Sequence, residues 1–188
     1  MKARFLFPLA LAAASWAPLA AQAQQALVPA QSEVGFTSRQ MGVPVDGKFK
    51  SFSAQVAFDP AKLATSKIAF TVDTGSADIS REANAELPKA VWFNVAAFPK
   101  ATFTSSSIKK LDATKYEVAG KLAIKGVSSD VVVPVTLAQN GATTVASGAF
   151  PIKRLTFRIG EKEWADTSMV ADEVQVRFKI ALTGVPKL

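Results

Sequence analysis

Neither cysteine nor histidine occurs in the 188 residues. Without cysteine there are no disulfides, so stability has to come from burial alone. Without either residue the chain cannot build a Ser-His-Asp triad, a Cys-His pair, the common zinc sites or a histidine-ligated haem. Glycine-rich phosphate loops are missing as well. A Ser-x-x-Lys spacing at Ser106 and Lys109 lies in a polar tract between strands rather than at the start of a helix. Glu161 and Glu163 read as solvated loop carboxylates. These absences favour a binding protein over an enzyme, with no cofactor and no metal expected.

Long apolar runs are scarce too. The clearest, Phe5 to Ala14, follows basic Lys2 and Arg4 and precedes Ala21-Gln22-Ala23. It is too short to span a membrane, and it reads as the core of a secretory signal peptide covering residues 1–23, cleaved before Gln24. Residues 24–188 then form one exported domain, located in the periplasm, with no transmembrane segment. Removing residues 1–23 takes two of the 22 basic residues and none of the 15 acids, which leaves a net charge of +5. The remaining lysines are scattered along alternating segments, the pattern of a solvated sheet face rather than of a nucleic-acid site.

What the mature region does contain is alternation. Val34 and Phe36 share one face of a strand from Ser32 to Thr37. Val43, Val45 and Phe49 continue on odd positions and Phe52, Ala54, Val56 and Phe58 on even ones, so a bend or bulge is required near Lys50 and Ser51. Ile68, Phe70 and Val72 give another strand. Ser80 to Leu87 reads as a short helix, with Ser80 as N-cap and Pro88 as its end, lying across an opening of the sheet. The aromatic stretch Val91 to Phe103 follows, expected to act as plug and pivot of the fold.

A polar tract is then expected to run to Ala113. Beyond it a hairpin pairs Tyr116, Val118, Leu122 and Ile124 with Val131, Val133, Val135 and Leu137, turning at Lys125 to Asp130. Pro134 predicts an edge or a bulge. Val145 to Ile152 and Leu155 to Ile159 read as a strand pair or one bent strand, with Lys153 and Arg154 at the bend. In the last strand Val174, Val176, Phe178, Ile180 and Leu182 face inward. The sum is an all-β antiparallel barrel of about eight strands with one short helical segment. Such a barrel holds either packed side chains or one small apolar ligand, and the inward faces alone leave both open.

Taken in order, VPAQSEVGFTSRQMGVPVDGKFKSF, FDP at Phe58 to Pro60, WFN at Trp92 to Asn94, FPKATFTSSSI, YEVAGKLAIKGVSSDVVVPV and FPIKRLTFRIGEKEWADTSMVADEVQV resemble the YceI-like family over nearly the whole mature chain. The resemblance implies a lipocalin-like barrel that encloses a polyisoprenoid or other long-chain lipid without catalysis. Where many members carry an Arg-Asp pair before His-Leu, this chain has Glu86 and Leu87 without those partners. A structural or interaction domain of the envelope, its barrel filled by side chains, is the alternative. Inward parity nominates Phe36, Val45, Phe70, Phe103, Leu122, Val133, Phe157 and Phe178 as the ligand-binding wall. Lys153, Arg154 and Arg158 are candidates for a phosphate head group. The sequence leaves dimerisation open.

Overall fold

A computed structural model describes residues 25–188, so the expected signal peptide lies outside the described residues. The chain forms β1 (Ala26–Leu27), β2 (Glu33–Gln40), β3 (Val43–Phe49), β4 (Phe52–Ala57), β5 (Lys67–Asp73), β6 (Ala77–Asp78), α1 (Arg81–Glu86), β7 (Lys100–Lys110), β8 (Lys115–Ile124), β9 (Val127–Asn140), β10 (Thr143–Lys153) and β11 (Glu173–Thr183). All strands belong to one antiparallel sheet in the order β4-β5-β7-β8-β9-β10-β11-β2-β3-β6, with β1 added to β11. The all-β class and the short helix stand. The closed eight-stranded barrel does not: among the described residues the sheet has eleven strands and is a curled half-barrel, with no ladder joining its two ends.

The curl follows from connectivity. β3 lies near one end of the sheet and β4 at the other, yet only Lys50 and Ser51 separate them. The three steps from Phe49 to Phe52 span at most about 11 Å, so the ends have to approach at this corner. Backbone bonds fasten it: Lys50 N–H donates to Ser76 O, and Asp73 N–H donates to Ser51 O. The parity change expected there is therefore a strand break at the seam rather than a bulge within one ladder. Along the seam the Gln25 side chain substitutes for a missing strand pair, its amide nitrogen donating to Phe58 O while its oxygen accepts from Phe58 N–H.

Turn chemistry accounts for the hairpins. Lys125 and Gly126 have φ of 49° and 75°, the two left-handed positions of a type I′ turn, so β8 and β9 are joined by two residues. The longer turn expected over Lys125 to Asp130 is corrected: Val127 already pairs Ile124, and Asp130 pairs Lys121. The polar tract after Phe103 is also strand, since β7 continues to Lys110 with a bulge between Ser105 and Ser107. β10 pairs β9 only as far as Ser147 opposite Thr136, so Pro134 occupies the free side of β9 beyond that point.

The segment expected as a strand at Leu155 to Ile159 is instead a 3₁₀ turn over Arg154–Phe157 with Arg158 left-handed at its end. A β10 continuing straight would leave the sheet, and Pro151 cannot donate to a further ladder. The turn folds back under β8, where Phe157 packs with Phe93, Ile124 and Ile159. At the far end of the sheet Phe58, Tyr116 and Leu137 form a second cluster. Between them the sheet encloses space.

Candidate functional site

Two chambers run through that interior and share the wall residues Val34, Val72, Ala101, Leu122, Phe150 and Val176. The inner chamber, about 190 Å³, is bounded by Val56, Phe70, Phe103, Val133, Phe178 and Ile180, with Tyr116 and Thr144 among its few polar side chains. The outer chamber, about 400 Å³, adds Ser38, Gln40, Thr74, Glu82, Glu86 and Arg154 to its apolar wall. Polarity therefore rises along the tunnel from the inner end to the outer one.

Glycines explain why this interior is hollow. Gly47, Gly120 and Gly148 occupy inward positions on β3, β8 and β10, and an aromatic ring from the adjoining strand rests against each. A Cβ on Gly47 would lie 2.3 Å from the Phe36 ring, on Gly120 2.6 Å from Phe103, and on Gly148 2.7 Å from Phe178. Each ring therefore lies along the wall over its glycine instead of projecting into the lumen, the same pairing that shields glycine in designed sheets.

Of the eight nominated wall residues, Phe70, Phe103, Val133 and Phe178 border the inner chamber, Phe36 and Val45 the outer, and Leu122 both. Phe157 borders neither: it is 2 % exposed inside the cluster beneath β8. Its nomination depended on a strand that the 3₁₀ turn replaces.

At the outer end α1 lies across the opening, as its polar sequence requires. Ser80 Oγ accepts from Ala83 N–H at 3.2 Å, which caps the helix. Asn84 ties it to β6 by donating to Asp78 Oδ1 and accepting from Ile79 N–H. Ala83 and Leu87 are left facing the chamber. The aromatic stretch fastens two regions at this end. Thr74 Oγ1 donates to Phe98 O, and Gly160 and Glu161 N–H both donate to Val91 O. Trp92 and Trp164 meet at 5.3 Å between centroids and both border the chamber.

The three head-group candidates separate. Lys153 and Arg158 are exposed and border neither chamber. Arg154 does border the outer one, but it is 2 % exposed and its five N–H groups are all taken. Nε donates to Ala171 O, Nη1 to Ile159 O and Gly160 O, and Nη2 to Trp164 O and Val170 O, at 2.6 to 3.0 Å. Burial draws its pKa below the ordinary guanidinium value, and the nearby Asp172 carboxylate acts in the opposite sense. Arg154 thus holds the 159–171 loop in place. Close by, Lys125 Nζ donates to Arg158 O at 2.6 Å and pairs with Glu161.

Sequence reasoning missed the three wall glycines, Tyr116 as a lining residue, and the tryptophans at the outer end. The glycine signal was present: each glycine has the parity of its inward neighbours. Two polar atoms in the walls, Tyr116 Oη and Trp92 Nε1, are buried without a hydrogen-bond partner among the described residues. No group of three potential metal ligands occurs among the described residues. Nor is any described helix long and apolar enough to cross a membrane.

A curled antiparallel half-barrel around an apolar interior, with a short helix at one end, is an arrangement able to enclose an elongated apolar molecule. The YceI-like domain model matches residues 26–182, and the chain belongs to that family. Among solved structures, Burkholderia cenocepacia BcnA is 48 % identical with a TM-score of 0.80, over 82 % of this chain and 98 % of that one. The Campylobacter jejuni YceI protein is 26 % identical with a TM-score of 0.66, over 73 % and 83 %. A polyisoprenoid binding domain from Saccharophagus degradans shares the fold at 13 % identity, TM-score 0.69, over 85 % and 98 %. Protein YceI of Salmonella arizonae is 35 % identical over 96 residues, half of either chain.

Proposed function

We propose that this protein is a non-catalytic periplasmic carrier or buffer of a polyisoprenoid or similar long-chain amphiphile. The observation that carries the reading is the tunnel itself, apolar along its inner length and polar only at its outer end. Its two chambers together reach the size range of roughly 300–1,000 Å³ usual for small-molecule sites. Ten methylenes at about 0.8 kcal/mol each exceed the lower estimates, about 4 kcal/mol, of the cost of immobilising a ligand. Binding then needs no charged partner. The tail occupies the chamber bounded by Phe70, Phe103, Val133 and Phe178, and the head stays near α1. A chain without histidine or cysteine also lacks the groups that the common catalytic sites use, which favours binding over turnover.

Two substitutions test it. Phe103→Trp and Phe178→Trp enlarge rings that border the inner chamber and are expected to reduce co-purified lipid at unchanged circular dichroism. Undiminished lipid in both folded variants would mean that the lipid lies outside the inner chamber and would overturn this reading. Export is checked by intact mass of periplasmic material, which should begin at Gln24.

A further inference from the structure

Resting on that reading, we propose that the outer chamber selects an uncharged head group presenting an acceptor oxygen to the Trp92 Nε1–H, and discriminates against a phosphate. Phosphate is held by cations or by free N–H groups. Among the described residues Arg154 is the one cationic side chain in either chamber's wall, and all five of its donors already serve backbone carbonyls. To reach it, an anion would have to displace the carbonyls that fasten the 159–171 loop. Lys125 is likewise engaged, with Arg158 O and Glu161.

The remaining charges in the wall are carboxylates. Glu82 receives a hydrogen bond from Ser80 Oγ, and Glu86 is paired with Lys89. An incoming phosphate would meet the like charge of the exposed Glu82 carboxylate with no free cation in the wall to offset it. A neutral oxygen suffers neither penalty. It also satisfies Trp92 Nε1, a donor whose burial without a partner is otherwise costly. Ser38, Gln40 and Thr74 supply further neutral groups in the same wall.

A charge series on one tail tests this with the wild-type protein: geranylgeraniol and geranylgeranyl phosphate competing against bound 1-N-phenylnaphthylamine. The alcohol is expected to displace the probe at a concentration at least tenfold lower than the phosphate. Glu82→Gln should narrow the gap, and Trp92→Phe should weaken the alcohol severalfold relative to the phosphate, each displacement being corrected for the probe affinity measured in the same variant. Equal or tighter binding of the phosphate overturns the proposal while leaving lipid carriage standing. Failure of both compounds to displace the probe would instead remove the carrier reading on which it rests.

Discussion

The Phe36 ring rests on Gly47, its register partner across β2 and β3, where a Cβ would come within 2.3 Å of the ring. The nearest obstacles to a methyl group there are side chains, Phe36 and Ile79, rather than backbone. Gly47→Ala is therefore expected to fold and to push the Phe36 ring into the outer chamber. Lipid capacity should fall by more than half with a melting temperature within a few degrees of wild type. Gly148→Ala differs, because its Cβ would lie 2.1 Å from Pro134 O, and it should lower stability as well. Differential scanning fluorimetry combined with lipid quantification checks both.

Facing along β11 gives a second expectation. Val176 borders both chambers, whereas Gln175 belongs to the opposite face. Val176→Asp places an unpaired charge against apolar walls and should cost several kcal/mol, about 3 or more, in urea unfolding. Gln175→Asp should cost less than about 0.5 kcal/mol. Equal losses would mean that the two faces had been exchanged.

Replacing Arg154 by methionine keeps the length of the stem but leaves the carbonyls of Ile159, Gly160, Ala171, Trp164 and Val170 without their donor. A loss of about 3–5 kcal/mol is expected, because several buried carbonyls lose their donor at once. Arg154→Lys should recover little, since an ammonium has three donors and no planar fork. Hydrogen exchange of residues 159–171 should rise in both variants. Unchanged protection there would contradict the clamp.

Much of this was legible in the sequence, for a physical reason. Period-two alternation reports a strand's two faces, so Phe36, Val45, Phe70, Phe103, Leu122, Val133 and Phe178 were all correctly placed facing the interior. Closure was not legible. Whether two strand ends meet depends on a connection as short as Lys50-Ser51, and alternation says nothing about which strands are neighbours. Phe157 shows the same limit, because LTF has strand-like composition while the five bonds of Arg154 fold it into a 3₁₀ turn. The hollow core was concealed because a glycine carries no hydrophobic signal, although its parity opposite a phenylalanine does.

Tyr116 is 1 % exposed and its hydroxyl has no partner among the described residues. Its ring packs edge-on against Phe58 at 5.5 Å between centroids. Tyr116→Phe keeps that contact and is expected to leave the unfolding free energy unchanged or slightly higher. A loss beyond about 1 kcal/mol would show the hydroxyl to be bonded within the cavity.

Acid should weaken the turn between β7 and β8. Asp112 accepts the backbone N–H groups of Thr114 and Lys115, both at 2.8 Å, and these bonds hold its carboxyl below the ordinary value of 3.8. A depressed folded-state pKa contributes stability that is present above the unfolded value and is lost as pH falls through the folded one. Carbon-13 NMR titration should place Asp112 below 3.8, and Asp112→Ala should remove that part of the acid dependence.

Lipid carriage in the tunnel is tested most directly by extraction of the native protein. Protein purified from the periplasm without detergent, its fold verified by circular dichroism, should release into organic solvent one long-chain lipid at close to one molecule per chain, identifiable by mass spectrometry. A folded protein whose extract contains no such lipid, and which takes up none when mixed with geranylgeraniol, would overturn lipid carriage.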